Sequence, residues 1–420
     1  MLRSLVCVLA VVTYLADAHG FFSYCPRTPA RSPNATLGVC PNDFTIIGPP
    51  LEPVHQSVQA PTGLALDNDL NIYIAYPRNS GPTPNNVVIA TSFASEEPWP
   101  SAEFQNCTTG QNVSTCFINV QNPVLGSDGN LYLVDSGIAP GATSPTPGGA
   151  KVLAISPTTR QLLRVWPIPS PLFYDGLNLN DLRVNLTLGS AGFAFLTDAS
   201  KGGSILSVDL ATGQALRRLH NTTVVMPDPT FVGSYNGQAI YSWNGTRRSF
   251  TSLGSDGIAL ASGNVYWGNL ASRRFYYAPQ TAFTDPALSE AEVLSQVQDP
   301  GECTTEQAGF TADDKGRVYI LASEQNAIYY VDTQQSEVTD EINGTPPGGE
   351  GLVKAENYVV RTLVRSGLVQ HADSAAIVDG WLYFCTNQLE LSPRFQYKNV
   401  DRRRGPFRTY RVWIGRGPAV

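Results

Sequence analysis

The chain has 420 residues, more than the roughly 250–300 at which one hydrophobic core stops growing, so it must hold several domains or a repeating architecture. Apolar residues make up 42% and charged residues 15%, with 37 glycines and 31 prolines, which suits many short strands and turns and excludes long helices or disorder as the dominant state. The net charge of −7 gives no reason to expect nucleic acid or an anionic membrane as a partner.

In chain order, residues 1–18 read as a secretory signal. Arg3 is the charged start, Leu5–Leu15 the apolar stretch, and Ala16-Asp17-Ala18 a small-x-small cleavage site. No later apolar run is long enough to span a bilayer, so a secreted, extracellular protein without a membrane anchor is expected. Cleavage after residue 18 leaves six of seven cysteines, an even number suited to an oxidising compartment. Six cysteines leave the connectivity open, but adjacency points to Cys25–Cys40 and Cys107–Cys116, with Cys303 left for Cys385. Asn34, Asn106, Asn112, Asn185, Asn221, Asn244 and Asn343 each begin an Asn-x-Ser/Thr sequon. With the signal, they predict a glycoprotein. Residues 19–61, rich in proline and without sustained periodicity, are expected as an irregular arm.

From residue 62 to 420 the chain repeats. Asn71–Tyr76, Asn130–Asp135, Gly192–Asp198, Asn264–Asn269, Arg317–Ala322 and Trp381–Thr386 are short apolar strands with an aromatic at the matching place. Those aromatics are Tyr73, Tyr132, Phe195, Tyr266, Tyr319 and Tyr383, spaced 53 to 71 residues apart. One repeat shows its content clearly. Leu182, Val184, Leu186 and Leu188 alternate with polar residues, the period-two mark of a strand with one buried face. Turns at Gly189–Gly192, Lys201–Gly203 and Ala211–Gly213 then separate three more strands, ending at Leu219. Four short antiparallel strands make a sheet too small to stand alone, so the copies must stack. Repeats of this length, each one small sheet, predict an all-β, six-bladed β-propeller. Leu288–Gln298 is the one helix expected, and Tyr410–Ile414 is expected to close the ring by pairing with N-terminal residues.

Several segments resemble, in collinear order, the yellow/major royal jelly protein family. Asn130–Gly137 is similar to its LWVLDSG motif, and Asn180-Asp181 to its LND. Thr197-Asp198, Gly202-Gly203 and Val208–Leu210 resemble TDSGGGGLIVYDL, and Ser255–Leu260 with Tyr266 resembles DGIALSPDGxxLYY. Gln307 falls where the family has a Ser-Gln or similar pair, and Trp381–Leu389 looks like LWFxSNRL. The resemblance implies a secreted six-bladed propeller and a broad choice of roles. Family members include dopachrome-converting proteins, food glycoproteins, and salivary proteins that bind biogenic amines in the central cavity. It also implies ligand contacts at Ser374 and Asn387, which match the hydroxyl and amide positions of the amine-binding relatives.

Asn180, Asp181, Asp256, Asp373 and Ser374 stand at the starts of strands and are expected at the mouth of the central channel. With Gln307 and Asn387 they make the candidate ligand site for a small, amine or aromatic molecule. An isomerase- or lactonase-like enzyme on the same site and a bulk structural glycoprotein are the alternatives. No cofactor is expected; Ca²⁺ is the alternative, since carboxylates converging from several blades resemble lactonase propellers. The plainer reading, turn residues bonding their own backbone, is preferred because the early-blade glutamate of such lactonases has no match. His371, two residues from Asp373, is a candidate base, though a histidine there is more often structural. G-x-S-x-G, H-E-x-x-H, C-x-x-C and the phosphate-binding loop are all absent.

Overall fold

The computed structural model describes residues 46–78, 83–107, 111–174, 176–338 and 349–419. The signal segment, Cys25, Cys40, Asn34 and Asn343 lie outside the described residues.

Six small antiparallel sheets form six blades. Blade 1 runs Gly63–Leu66, Ile72–Ala75, Val87–Ser92 and Ser95–Pro98; blade 2 runs Val120–Leu125, Leu131–Asp135, Lys151–Ile155 and Leu162–Pro167. Blade 3 comprises Leu179–Asn185, Phe193–Asp198, Ser204–Asp209 and Ala215–Arg218. Blade 4 has only Ser255–Ala261, Asn264–Asn269 and Phe275–Pro279, and blade 5 has Gln307–Ala312, Arg317–Ala322, Ala327–Asp332 and Arg361–Arg365. Blade 6 takes Ala372–Val378, Trp381–Thr386 and Phe407–Trp413 from the C-terminal end and its outermost strand, Glu52–Ser57, from the N-terminal end. The first strand of each blade lies against the first strands of both neighbours, so the six form a closed inner ring.

Each second strand carries its aromatic inward into the packing. Tyr73, Tyr132, Phe195, Tyr266, Tyr319 and Tyr383 are all at most 5% exposed. A buried phenol needs a partner for its hydroxyl, and three blades solve this alike. Tyr73, Tyr132 and Tyr319 donate to Asp67, Asp128 and Asp313, the aspartates of the preceding tight turns. The core is not one mass: among the described residues an apolar cluster lies at each of the six blade interfaces. Leu182, Ala194 and Leu206 of blade 3 meet Val134, Val152 and Trp166 of blade 2, for example. Leu64 and Ile74 of blade 1 meet Val378 and Tyr383 of blade 6 at the seam.

Blade 4 lacks a fourth strand, and its edge is covered instead. Tyr277 exchanges backbone hydrogen bonds with Gln298, just beyond a helix at Glu290–Ser295 that Ser289 and Glu292 close with a reciprocal capping box. Between blades 3 and 4, two hairpins (Gly233–Tyr235 with Gln238–Ile240, and Ser242–Trp243 with Arg248–Ser249) form an insertion the sequence did not announce. Among the described residues no helix is long and apolar enough to cross a membrane.

Two expectations need correction. The arm expected to extend to residue 61 gives up Glu52–Ser57 to blade 6. This strand pairs with Phe407–Trp413, as ring closure required, but only its His55 and Ser57 are buried, so it shows no apolar alternation. Cys107 and Cys116 are bonded, whereas Cys303 and Cys385 are free, buried thiols. Cys303 packs between blades 4 and 5, and Cys385 between blades 6 and 1. Side chains facing different interfaces cannot be bridged without moving strands.

The seam is also held by polar contacts. One oxygen of Glu96, on blade 1, accepts from His55 Nε2 at 2.8 Å, Ser57 Oγ at 2.9 Å and Tyr76 Oη at 2.6 Å. Burial alone would raise the Glu96 pKa, but the bonds from His55, Tyr76 and Ser57 outweigh it and hold the carboxyl below its ordinary range. A carboxyl depressed on folding stabilises at pH above its unfolded value, and that gain is lost as pH falls through the folded value. Glu96→Ala is therefore expected to cost about 1–3 kcal/mol in urea unfolding at pH 7, the cost of buried donors left unpaired. The gap to wild type should narrow below the unfolded glutamate value, about pH 4. An unchanged midpoint at pH 7 would show that the seam does not depend on this carboxylate.

Candidate functional site

The inner strands of blades 2 to 6 share one irregularity, a shift in register near their start. It falls between Val120 and Asn122, Leu179 and Leu182, Ser255 and Ile258, Gln307 and Phe310, and Ala372 and Ala375. Such bulges re-aim side chains out of the sheet. Here they turn Gln121, Asn180, Asp181, Asp256 and Asp373 toward the channel axis, where the inner strands come very close. A methyl group on Gly257 would stand 2.7 Å from the Gly309 Cα, and one on Gly309 would collide with the Asp373 carbonyl. Glycine alone allows the approach.

Two connected recesses occupy this mouth. The outer, of about 80 Å³, is lined by Asn180, Asp256, His371, Asp373, Arg394 and Phe395, among others. The inner, of about 10 Å³, is bordered by Thr62, Asn122, Asp181, Ser374 and residues shared with the outer one. Asn180 Nδ2 donates to Asp256, and Asn122 bridges blades by donating to Asp181 at 2.5 Å and accepting from Ser374 Oγ at 3.0 Å. Asn387 does not line either recess; it donates to Asp373 and accepts from the Leu389 amide at 2.9 Å, tying that carboxylate to the segment above. Arg183 pairs with Asp181 at 2.9 Å, bonds the Leu182 carbonyl, and reaches across to the Phe310 carbonyl of blade 5.

Gln307, like Asn387, lies outside both recesses, and it stands further from its expected place. Its side chain turns away from the channel, donates to the Arg274 carbonyl at 2.9 Å and packs over Gly268; its neighbour Ala308 lines both recesses. One residue of register flips a side chain to the other face of a strand.

Over the mouth lies Leu389–Phe395, two short 3₁₀ turns that bring Glu390, Arg394 and Phe395. Phe395 packs with Tyr235 and Ile240 of the inserted hairpin, and Asn399 Nδ2 donates to the Trp243 carbonyl. Nothing periodic marks this cap in the sequence. Gln121 and Asn122 were also missed, although a signal existed. Asn122 precedes Tyr132 by the same interval that separates Asp256 from Tyr266 and Asp373 from Tyr383.

Burial sets the electrostatics. It pushes Asp256 well above the ordinary carboxylate range, with the like charges of Asp373 and Asp181 adding to it. Asp181 is also raised by burial, against the pull of Arg183. Asp373 is pushed up to about 7 by burial, opposed by His371 and the Asn387 hydrogen bond. For His371 burial acts downward but loses to the charge and hydrogen bond of Glu390, then to Asp373 and Glu306, and its pKa rises to about 9. The imidazole Nδ1 lies 2.8 Å from Glu390 Oε1, and Nε2 lies 3.9 Å from Asp373 Oδ2 with no hydrogen-bond partner. The Nε2 of this fully buried imidazole therefore lines the outer recess with no hydrogen-bond partner. Among the described residues no group of three or more His, Cys, Asp or Glu is placed to hold a metal ion.

A histidine raised on folding stabilises below its unfolded pKa, and that stability is lost as pH rises through the folded value. The window here runs from about 6.5 to about 9. NMR titration of the His371 ring is expected to show a midpoint near 9. In Glu390→Gln the midpoint should fall toward the ordinary histidine range. A wild-type midpoint near that range would reject the His371–Glu390 ion pair.

The family model described as major royal jelly protein matches residues 125–347. No curated protein matches the chain. Among solved structures, a luciferin-regenerating enzyme is 11% identical with a TM-score of 0.49, covering 89% of this chain and 98% of that one. Regucalcin, a calcium-binding protein from Agrobacterium tumefaciens, is 10% identical at 0.48, covering 88% and 96%. A putative gluconolactonase is 9% identical at 0.47, covering 88% and 94%. Likeness at this level says nothing of chemistry.

Proposed function

The chain belongs to the major royal jelly protein family, and from that premise we propose that it is a secreted glycoprotein binding a small cationic amine at the capped mouth of its channel. One observation carries the reading. His371 Nε2, which has no hydrogen-bond partner, and Asp373, a carboxyl poised near neutrality, stand 3.9 Å apart in the wall of the outer recess. An ammonium group supplies the positive charge that Asp373 and Asp256 take as protons when the recess is empty. A hydroxyl or carbonyl on the same ligand accepts from His371, and Phe395, Leu253 and Leu270 give it an apolar wall. Ser374 and Asn387 act at one remove, Ser374 through Asn122 and Asn387 through Asp373. The outer recess, about 80 Å³, is well below the roughly 300–1,000 Å³ of ordinary ligand pockets. It takes the amine head, and the remainder of a ligand must displace the cap.

The same pair supports a second reading, an isomerase in which Asp373 takes a proton from one position of the substrate and His371 gives one to another. Turnover separates the two, since a binder saturates at one site and leaves the ligand unchanged. Calorimetry with tyramine, dopamine and serotonin is expected to show one site, with affinity rising between pH 6 and 8 as Asp373 gives up its proton. Asp373→Asn and Asn387→Ala should each weaken binding by about 1–3 kcal/mol. Absence of heat with every amine, or unweakened binding in Asp373→Asn, would overturn the proposal.

A further inference from the structure

At the end of the molecule away from the cap, the turns of blades 3, 4 and 5 enclose an open groove of about 710 Å³. Its walls are rich in hydrogen-bonding groups, among them Ser262, Gln280, Asp314, Lys315 and Gln334, with Leu188, Leu260 and Ala419 as apolar patches. That mixture suits a sugar, whose hydroxyls need donors and acceptors and whose ring faces and acetyl methyls need apolar contact. Asn185 and Thr187, the first and last residues of one sequon, also line this groove.

The local geometry gives that sequon a direction. Thr187 donates from its amide at 2.9 Å and its hydroxyl at 2.7 Å to Asn185 Oδ1, while Asn185 Nδ2 donates to Gln280 Oε1 at 2.7 Å. A side-chain amide nitrogen carries two hydrogens, and attachment of a sugar replaces one, which leaves one hydrogen for the bond to Gln280. The same bonds to the asparagine oxygen recur at Asn112 and Asn244, so what sets Asn185 apart is its place on the groove wall. Asn112, Asn221 and Asn244 are exposed, and Asn106 is half-buried with its Nδ2 donating to the Pro84 carbonyl.

We propose that Asn185 carries an N-linked oligosaccharide whose innermost sugars lie in this groove, packed between blades 3 and 5 as part of the fold; this rests on the secretory reading above. The transfer takes place before folding, on the extended chain. Asn185 Nδ2 forms the bond to the anomeric carbon of an isoprenoid-diphosphate-linked oligosaccharide, the bond from that carbon to the diphosphate oxygen breaks, and one Nδ2 proton leaves. On folding, the groove closes around the attached sugars.

The test uses full-length chain secreted from a eukaryotic host, digested with peptide-N-glycosidase before and after denaturation, with each site followed by glycopeptide mass spectrometry. Native protein is expected to release the Asn185 glycan at least about tenfold more slowly than the Asn244 glycan, because release must wait for a local opening. After denaturation the two should be released alike. Thr187→Ser should keep the glycan and its protection, and Thr187→Ala should lose the glycan. An unmodified Asn185 beside a glycosylated Asn244 overturns this inference and leaves the secretory reading standing; no occupied sequon at all overturns both. Equal native release rates at the two sites reject the packing of the sugar in the groove.

Discussion

Everything in this molecule depends on closing a ring of sheets that are individually too small to survive. A four-stranded sheet exposes two faces and two edges. Stacking in a circle buries the faces, and the seam decides whether the circle holds. Here strands from the two ends of the chain meet in one blade, Glu52–Ser57 lying on Phe407–Trp413. Arg411 pairs with Glu52, and Arg408 bonds Gln56 across the same junction. The Glu96 carboxylate then fastens the added strand to blade 1.

The site follows from closure. Six inner strands converging on one axis leave room only for glycine at Gly257 and Gly309, and bulges at the same level turn polar side chains into what space remains. Removing Asp181, Asp256 and Asp373 from water costs free energy that the blade interfaces must offset. That cost shows in the carboxyls, which burial pushes toward their protonated forms. A desolvated acidic cluster is thus a consequence of the architecture.

The sequence disclosed whatever recurs and hid whatever occurs once. The six strand aromatics and their turns revealed the blades, because alternation and Gly/Asp turns are local properties. Asn180, Asp181, Asp256, Asp373 and Ser374 were legible as positions at strand starts. Gln307 was not, because a bulge inverts the parity on which face assignment depends, and no count of residues shows whether one is present. The strand Glu52–Ser57 escaped because its buried positions, His55 and Ser57, are polar and bond Glu96, so no apolar alternation marks it. The cap escaped for a different reason. Glu390, Arg394 and Phe395 belong to irregular turns, and their place over the channel is fixed by contacts with a hairpin some 150 residues earlier, such as that between Asn399 and Trp243.

The two ends of the channel are chemically unlike, and Arg183 is the reason they stay separate. Its guanidinium joins blade 3 to blade 5 through Asp181 and the Phe310 carbonyl, standing between the acidic mouth and a cavity of about 220 Å³ on the other side. That cavity is walled by Leu64, Val124, Leu260 and Ile377 and bordered by Pro418 and Ala419, with Ala419 bonded to Ala312. A polar ligand passing through would have to break a buried ion pair and then cross an apolar chamber, each at a cost of several kcal/mol. The channel is therefore two dead ends. The way into the acidic mouth therefore runs past Leu389–Phe395, a segment held in place by His371 with Glu390 and Asn387 with Asp373.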